Sequence, residues 1–442
     1  MTTDVSATTL NAAPPIPLDS RVRLRIFLYL GGLIVLLGFA APGGGLIGLP
    51  ISFFLKNKLH LKAHELATFS LISHIPVYFA FAFGFARDTF NPFGMRDRGF
   101  MALFGAIGAG VYLFFAFTPP TYLSLLIAVL MLFTSFLFIL SAQRGLLSTI
   151  GQQHVMTGQA SVVLNVFDAL PGIAALLVGG ELSELMEGRN ASDAARILFL
   201  VGAAVMACIA LYGLWKPASV FDNVHSERIS STRPLDDFRR LLKHWPIYPA
   251  LLIWLLWNFA PGGVTPLQYY LQNTLHSGDA QWGQWNAIFS ASFLPTFLVY
   301  GLLCRRFPLR TLLFWGTVAA VPQFVPLLFV HSVSGALIAA APMGLLGGVA
   351  TAAYMDLLIR SCPKGLQGTV LMAAAGLYSI DVRFGDVLGT NLYDHFGSFT
   401  VCVIAITVTY AAILPVLLLV PRSLIDTADG EAPVEELPAA RL

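Results

Sequence analysis

Five ionisable side chains stand inside long apolar stretches of this chain: His74, Asp168, Asp381, Arg383 and Asp386. A charge carried to the middle of a bilayer costs at least ~2.5–3.5 kcal/mol on insertion scales, so such residues face a cavity or a partner. Carboxylates and an imidazole placed there can take and release protons. Arg383 and Asp386 are three apart and share a helix face, which permits an ion pair within one helix. Asp381 is turned about 200° from Arg383 at 3.6 residues per turn, so it needs a partner on another helix, or a proton. Asp168 has no local partner either. For His74 the alternative is a neutral ring hydrogen-bonded in helix packing.

A second group could hold a solute. Phe39, Trp254, Trp257, Asn258, Phe259, Gln268, Tyr269 and Tyr270 combine flat aromatic faces with amides. That mixture suits a planar heterocycle, held by stacking and edge hydrogen bonds. From it Phe39, Trp257, Asn258, Gln268, Tyr269 and Tyr270 are taken as solute-binding candidates. The plainer reading is an interfacial aromatic belt with ordinary helix packing.

The elements that must position these residues follow from composition. Of 442 residues, 56% are hydrophobic and 11% charged. Soluble domains carry about 25% charged residues, so a soluble enzyme, a disordered chain and a nucleic-acid binder are all excluded. Four scattered cysteines give neither a disulfide framework nor a zinc site. No phosphate loop, dinucleotide fingerprint or nucleophile elbow stands in a suitable context, so no cofactor, metal or catalytic residue is expected.

Twelve apolar segments, at roughly 20 residues per span, lie near 26–54, 66–86, 99–118, 121–141, 157–181, 194–214, 246–272, 284–303, 310–331, 334–357, 366–392 and 398–420. Residues 1–20 and 422–442 read as disordered tails. The polar stretch 215–245 reads as a linker between a six-helix bundle at 21–214 and another at 246–421. The halves repeat each other. Phe39-Ala40-Ala41-Pro42-Gly43-Gly44 returns as Phe259-Ala260-Pro261-Gly262-Gly263, Pro50–Leu59 as Pro266–Leu275, and Phe69-Ser70 as Phe289-Ser290. Three matches in order, at offsets of 216–220, mark an internal duplication. The paired Pro-Gly-Gly runs predict broken helices, tolerated where backbone lines a cavity.

With the N-terminus placed inside, 20 Lys/Arg fall on the inner side and 5 outside, counting Arg144 in a loop after span four. The positive-inside rule therefore puts both termini and the linker in the cytoplasm, in an inner or plasma membrane.

Between spans two and three runs Gly84-Phe-Ala-Arg87-Asp88, then Asn91-Pro92-Phe93-Gly94-Met-Arg96-Asp97-Arg98. A helix-end glycine admits a close neighbour. A carboxylate there can accept bonds from another helix's N-terminus, and arginines can lock onto acids. This loop resembles the signature of the major facilitator superfamily, and Gly84, Asp88, Arg96 and Arg98 are taken as gating residues. The spacing Pro76-x7-Gly84-x3-Asp88-x3-Pro92-x-Gly94-x-Arg96-x-Arg98 looks like the folate–biopterin transporter family. So do Pro249, Tyr269–Leu275, Tyr300-Gly301 and Cys362-Pro-Lys-Gly365-Leu-Gln-Gly-Thr369.

The resemblance implies an all-α membrane protein of twelve helices in two pseudo-symmetric six-helix bundles. It implies a symporter for a pteridine-like or other small organic solute, driven by protons through alternating access. The expected partners are that solute, protons and lipid, with no nucleic acid, and the expected state is a monomer. The alternatives are a permease for siderophores or cell-wall fragments, and a facilitator-fold receptor or assembly factor that no longer transports. The chain departs from the family at Ala80 (usually lysine), in Leu132–Arg144, which holds no acid, and at Gln367 (usually acidic). A substitute coupling site is therefore expected. In the superfamily fold span two packs beside span eleven, where His74 at ~20 Å depth and Asp381 at ~22 Å would meet and share a proton.

Overall fold

The computed structural model describes residues 18–431 except 45, 62 and 223–233. The described residues are helical throughout, without a strand. Twelve spans follow one another in the predicted order. Span one is α1 (Ser20–Ala40) and α2 (Gly48–Asn57). Span two is α3 (Ala63–Ser73), α4 (Ile75–Tyr78) and α5 (Ala80–Thr89). Spans three to six are α6 (Asp97–Ala116), α7 (Tyr122–Gln153), α8 (Thr157–Glu187) and α9 (Ala191–Leu214). The linker holds α10 (Ala218–Phe221) and α11 (Pro234–Lys243). Span seven is α12 (Ile247–Asn258) and α13 (Thr265–Tyr269), continued by one π turn to Thr274. Span eight is α14 (Asp279–Ala291) and α15 (Phe293–Leu303). Spans nine to eleven are α16 (Leu309–Ala320) with its 3-10 extension to Phe329, α17 (Val333–Ser361) and α18 (Gln367–Phe396). Span twelve is α19 (Phe399–Ala411), α20 (Ile413–Val416) and a 3-10 turn to Leu419. Eight of these helical stretches are long and apolar enough to cross a membrane alone.

The breaks have local causes. Pro42-Gly43-Gly44 ends α1, and Pro261-Gly262-Gly263 separates α12 from α13. Gly262 has φ +101°, a value that L side chains rarely adopt. Pro76, lacking an N–H, cannot continue the helical ladder, so span two restarts twice.

Two expectations are corrected here. Span four does not end near 141: α7 runs to Gln153, so Arg144 lies inside the span, nine residues or ~14 Å from its end at 1.5 Å per residue. The apolar stretch ends early because the last turns of α7 pack against protein, where Gln143, Ser148 and Gly151 are buried. Nor is 422–431 a loose tail. It forms α21 (Arg422–Ile425) and a strap in which Ile425, Thr427, Ala428 and Asp429 are buried. The expected N-terminal tail as far as 17, the middle of the linker and 432–442 lie outside the described residues.

The two halves meet at the end of the molecule that carries the linker and the 2–3 loop. There α5 packs on α18, and α8 on α15 and α17. Helix α18 is buried in its first turns, with Gln367 to Met372 below 4% exposed, but Tyr378, Phe384 and Val387 are exposed. The halves thus lie together at the linker face and part toward the opposite one.

Candidate transport site and gate

The linker face is held by a buried carboxylate. Asp88 accepts from the Gly368 amide at 3.3 Å, the Thr369 amide at 2.7 Å and the Thr369 hydroxyl at 2.7 Å. These groups are in the first turn of α18, where unpaired N–H groups and the helix dipole favour an anion. Arg87 pairs with Asp88 at 2.7 Å and with Asp97, at the start of α6, at 2.5 Å. Gly84 is required by this contact: a Cβ there would stand 2.4 Å from the Gly368 carbonyl oxygen. Gln152 adds a second tie, donating to the Ile359 and Cys362 carbonyls at 2.8 Å and accepting from Gln367 at 2.9 Å.

Gly84 and Asp88 thus sit where halves meet, and Arg96 and Arg98 do not. Arg98 donates to the Gly213 and Leu214 carbonyls at 3.1 and 2.6 Å and lies over Phe221, fastening span three to the end of span six. The Arg96 amide donates to Asn91 at 2.6 Å in a loop where Arg96 has φ +53°. The cation at the gate is Arg87, part of the quoted motif but not assigned a role from sequence.

Farther from the linker face, ionisable groups of four spans line the parting halves. Asp168 on α8 is exposed and acts electrostatically on Arg144 of α7 and Tyr378 of α18. Arg144 buries its Nε with no hydrogen-bond partner among the described residues. Arg144 was missed because its apolar segment stops short of it. The remaining signal was a lone arginine one turn beyond Leu140.

The expected meeting of His74 and Asp381 does not occur. His74 Nδ1 bonds the Ser70 carbonyl at 2.7 Å, its ring packs on Phe133, and the span-eleven charge acting on it is Arg383. Asp381 leaves Oδ2 buried without a hydrogen-bond partner among the described residues. The two depths agree, but the restarts in span two break the count of 100° per residue on which the azimuth depended. Asp386 does not pair with Arg383 either. Its carboxylate accepts from the Thr265 amide and hydroxyl, both at 2.8 Å, and so holds the restart of span seven to span eleven. Arg383 is exposed and has no ion pair among the described residues.

The aromatic candidates divide. Trp257 is 7% exposed between Tyr354 and Tyr410, a core position of the second half. Tyr270 stacks on Phe399 and donates toward the Leu327 and Val330 carbonyls at 3.3 and 3.0 Å, again inside that half. Asn258 donates to the Trp254 carbonyl one turn earlier. The structure does not gather these three into a shared site with the ionisable groups. Phe39 and Gln268 are half-buried beside the two helix breaks, and Tyr269 is exposed.

Residues 157–380, half of the chain, match the family model of the Major Facilitator Superfamily. The chain belongs to that superfamily. It is 23% identical over 365 residues to the folate-biopterin transporter of Synechocystis sp., covering 76% of this chain and 70% of that protein. Among solved structures it resembles FucP, the E. coli fucose:proton symporter, in the outward conformation, with a TM-score of 0.65 at 13% identity. That match covers 91% of this chain and 100% of the other. It also resembles the human organic anion transporter MFSD10, with a TM-score of 0.60 at 16% identity, over 90% and 100% of the two chains. At such identities the structural likenesses carry the fold alone. A multi-pass membrane transporter of facilitator fold is thus the frame for the site.

Proposed function

We propose that this facilitator moves a small organic solute, pteridine- or folate-like, by proton-coupled alternating access. The observation that carries the reading is the pairing of a locked linker face with parting halves. Beneath the lock, a half-buried arginine, Arg144, whose buried Nε has no hydrogen-bond partner among the described residues, lies in the field of Asp168, an exposed carboxylate on the neighbouring span. Arg144 is a fixed cation able to hold an anionic or hydrogen-bond-accepting group of the solute. Asp168 competes for it when ionised and releases it when protonated, which ties solute binding to proton binding. Asp381 is the second acid within reach of the space between halves. The units are the two bundles, 21–214 and 246–421, joined by the linker and acting as a monomer.

The test is uptake into proteoliposomes with and without an imposed pH gradient, over a panel of pterins, folates, siderophores and muropeptides. The reading expects a pterin or folate to accumulate only with the inward proton gradient. Accumulation of another panel member, or none under any gradient, overturns it.

Orientation is part of the same reading. The linker face is cytoplasmic, because the Lys/Arg excess lies there and survives the move of Arg144 into span four. Ser277, the natural outer probe, is buried, whereas Gly278 beside it is exposed, as is Lys243 at the end of α11. In intact cells an impermeant thiol reagent should label Gly278→Cys and spare Lys243→Cys. The reverse pattern would invert the orientation.

A further inference from the structure

The duplicated second half should contain a second copy of the gate, and its sequence lacks the acid. Gly84-Phe-Ala-Arg87-Asp88 aligns at offset 217 with Gly301-Leu-Leu-Cys304-Arg305, within the range of offsets of the repeat. Arg305 stands where Asp88 stands, and no acid follows before span nine. By symmetry the start of span five, the counterpart of span eleven, would be left with bare N–H groups.

It is not bare. Asp429, after span twelve, accepts from the Gly158 amide at 3.0 Å, the Gln159 amide at 3.0 Å and the Gln159 side-chain amide at 3.3 Å. Gly158 and Gln159 are the second and third residues of α8, as Gly368 and Thr369 are of α18. The surroundings correspond too. A Cβ at Gly368 would meet Asp88 and Arg87; one at Gly158 would meet Cys304 and Asp356. Cys304 thus fills the place of Arg87, and the cation comes from another element. Arg360 of α17 donates to Asp356 at 2.9 Å and to the Thr157 hydroxyl at 3.0 Å, and stands 3.7 Å from Asp429. Tyr300 closes the cluster by donating to Asp356 at 2.8 Å.

The strap that carries Asp429 is bound to both halves. On the first, the Gly430 amide donates to the Val155 carbonyl at 2.7 Å. On the second, the Asp429 amide donates to the Cys304 carbonyl at 2.8 Å, the Leu309 amide to the Thr427 carbonyl at 3.3 Å, and Arg360 to the Leu424 and Thr427 carbonyls at 3.2 and 3.0 Å.

We propose that residues 426–431 are the second gate of this transporter, Asp429 doing for span five what Asp88 does for span eleven. This rests on the alternating-access reading, since a gate has meaning only if the halves rock. The two locks differ in one physical respect. Asp88 is rigidly part of a span and must part from α18 as the halves move. Asp429 is on a tether beyond the last span, and can leave α8 while the bundles are still together. The lock on span five is therefore detachable, and its removal should favour opening at the linker face.

The test reads the distance between halves at that face. Leu214, at the end of span six, and Arg306, after span eight, are exposed there on opposite halves. Spin labels are placed at Leu214→Cys and Arg306→Cys in a full-length chain whose exposed Cys208 is serine, the buried Cys304, Cys362 and Cys402 being left in place. Pulsed dipolar spectra are then recorded in lipid nanodiscs. Asp429→Ala, and separately a chain ending at Asp426, should each enlarge a longer-distance population at least tenfold; Asp429→Glu should restore the parent distribution. An unchanged distribution in both the alanine variant and the truncation overturns the proposal. So does a lowered melting temperature with no new distance, which would mark the strap as mere packing. The distances need no solute. A shift without uptake of any panel member would leave the gate standing and sink the transport reading instead.

Discussion

Asp88→Asn is expected to open the linker face, with a tenfold or larger rise in the ratio of linker-open to linker-closed molecules. The buried carboxylate takes three hydrogen bonds from α18 and one ion pair from Arg87. An amide keeps one acceptor oxygen and turns a donor toward groups that also donate. Hydrogen bonds to charged groups are each worth about 1.5–3 kcal/mol, and 1.4 kcal/mol is a factor of ten. Loss of a single such bond therefore meets the tenfold mark if the open state does not need Asp88. The effect is directional, because Asp88 touches the second half only when the linker face is closed. Thiol labelling from the linker side of the native Cys362, a free cysteine buried at the end of span ten in the closed state, measures it when read on the peptide that carries it. Labelling no faster than in the parent would make Asp88 a fold-stabilising residue and not a gate. A Gly84→Val variant should give the same direction for a steric reason, since a side chain there meets the Gly368 carbonyl.

What was legible in the sequence, and what was not, follows from which forces are local. Spans show because a bilayer demands about 20 apolar residues wherever a helix crosses it. Pro42-Gly43-Gly44 and Pro261-Gly262-Gly263 announce their breaks because proline and glycine act on their own backbone. Asp88 was readable because its motif fixes it at the end of one span facing the start of another. Contacts set by the azimuth of a broken helix were not. His74 and Asp381 agree in depth and still fail to meet, and Asp386 turns from Arg383 to Thr265. Arg144 was hidden because burial by protein, unlike burial by lipid, leaves no run of apolar residues. The strap was hidden for the opposite reason. It lies in a stretch, 423–442, whose acidic, alanine- and proline-rich composition is that of a free tail, and its order comes from distant partners: the start of α8, which Asp429 caps, and the Val155, Cys304 and Arg360 groups that bond its backbone.

Asp168→Asn should abolish accumulation driven by a pH gradient while sparing downhill exchange of the solute. Asp168 is exposed between the halves and acts electrostatically on Arg144, whose Nε has no hydrogen-bond partner among the described residues. An ionised Asp168 lowers the attraction of Arg144 for an anion, and a protonated one restores it. Solute and proton then bind together. One proton per solute across a gradient of one pH unit supports about tenfold accumulation, since one unit is worth 1.36 kcal/mol. Asparagine mimics the protonated acid permanently. The solute still binds and the halves still rock, so radiolabelled solute exchanges at near the parent rate. The proton no longer moves with it, so the accumulation ratio falls from about ten to one by the same relation. Arg144→Ala should behave differently, losing exchange and accumulation together, because the cation that holds the solute is gone. A lysine at 144 should recover part of the exchange, keeping the charge without the planar fork. If Asp168→Asn still concentrates solute and Asp381→Asn does not, the coupling acid is Asp381, and the field of Asp168 serves only to stabilise the Arg144 cation.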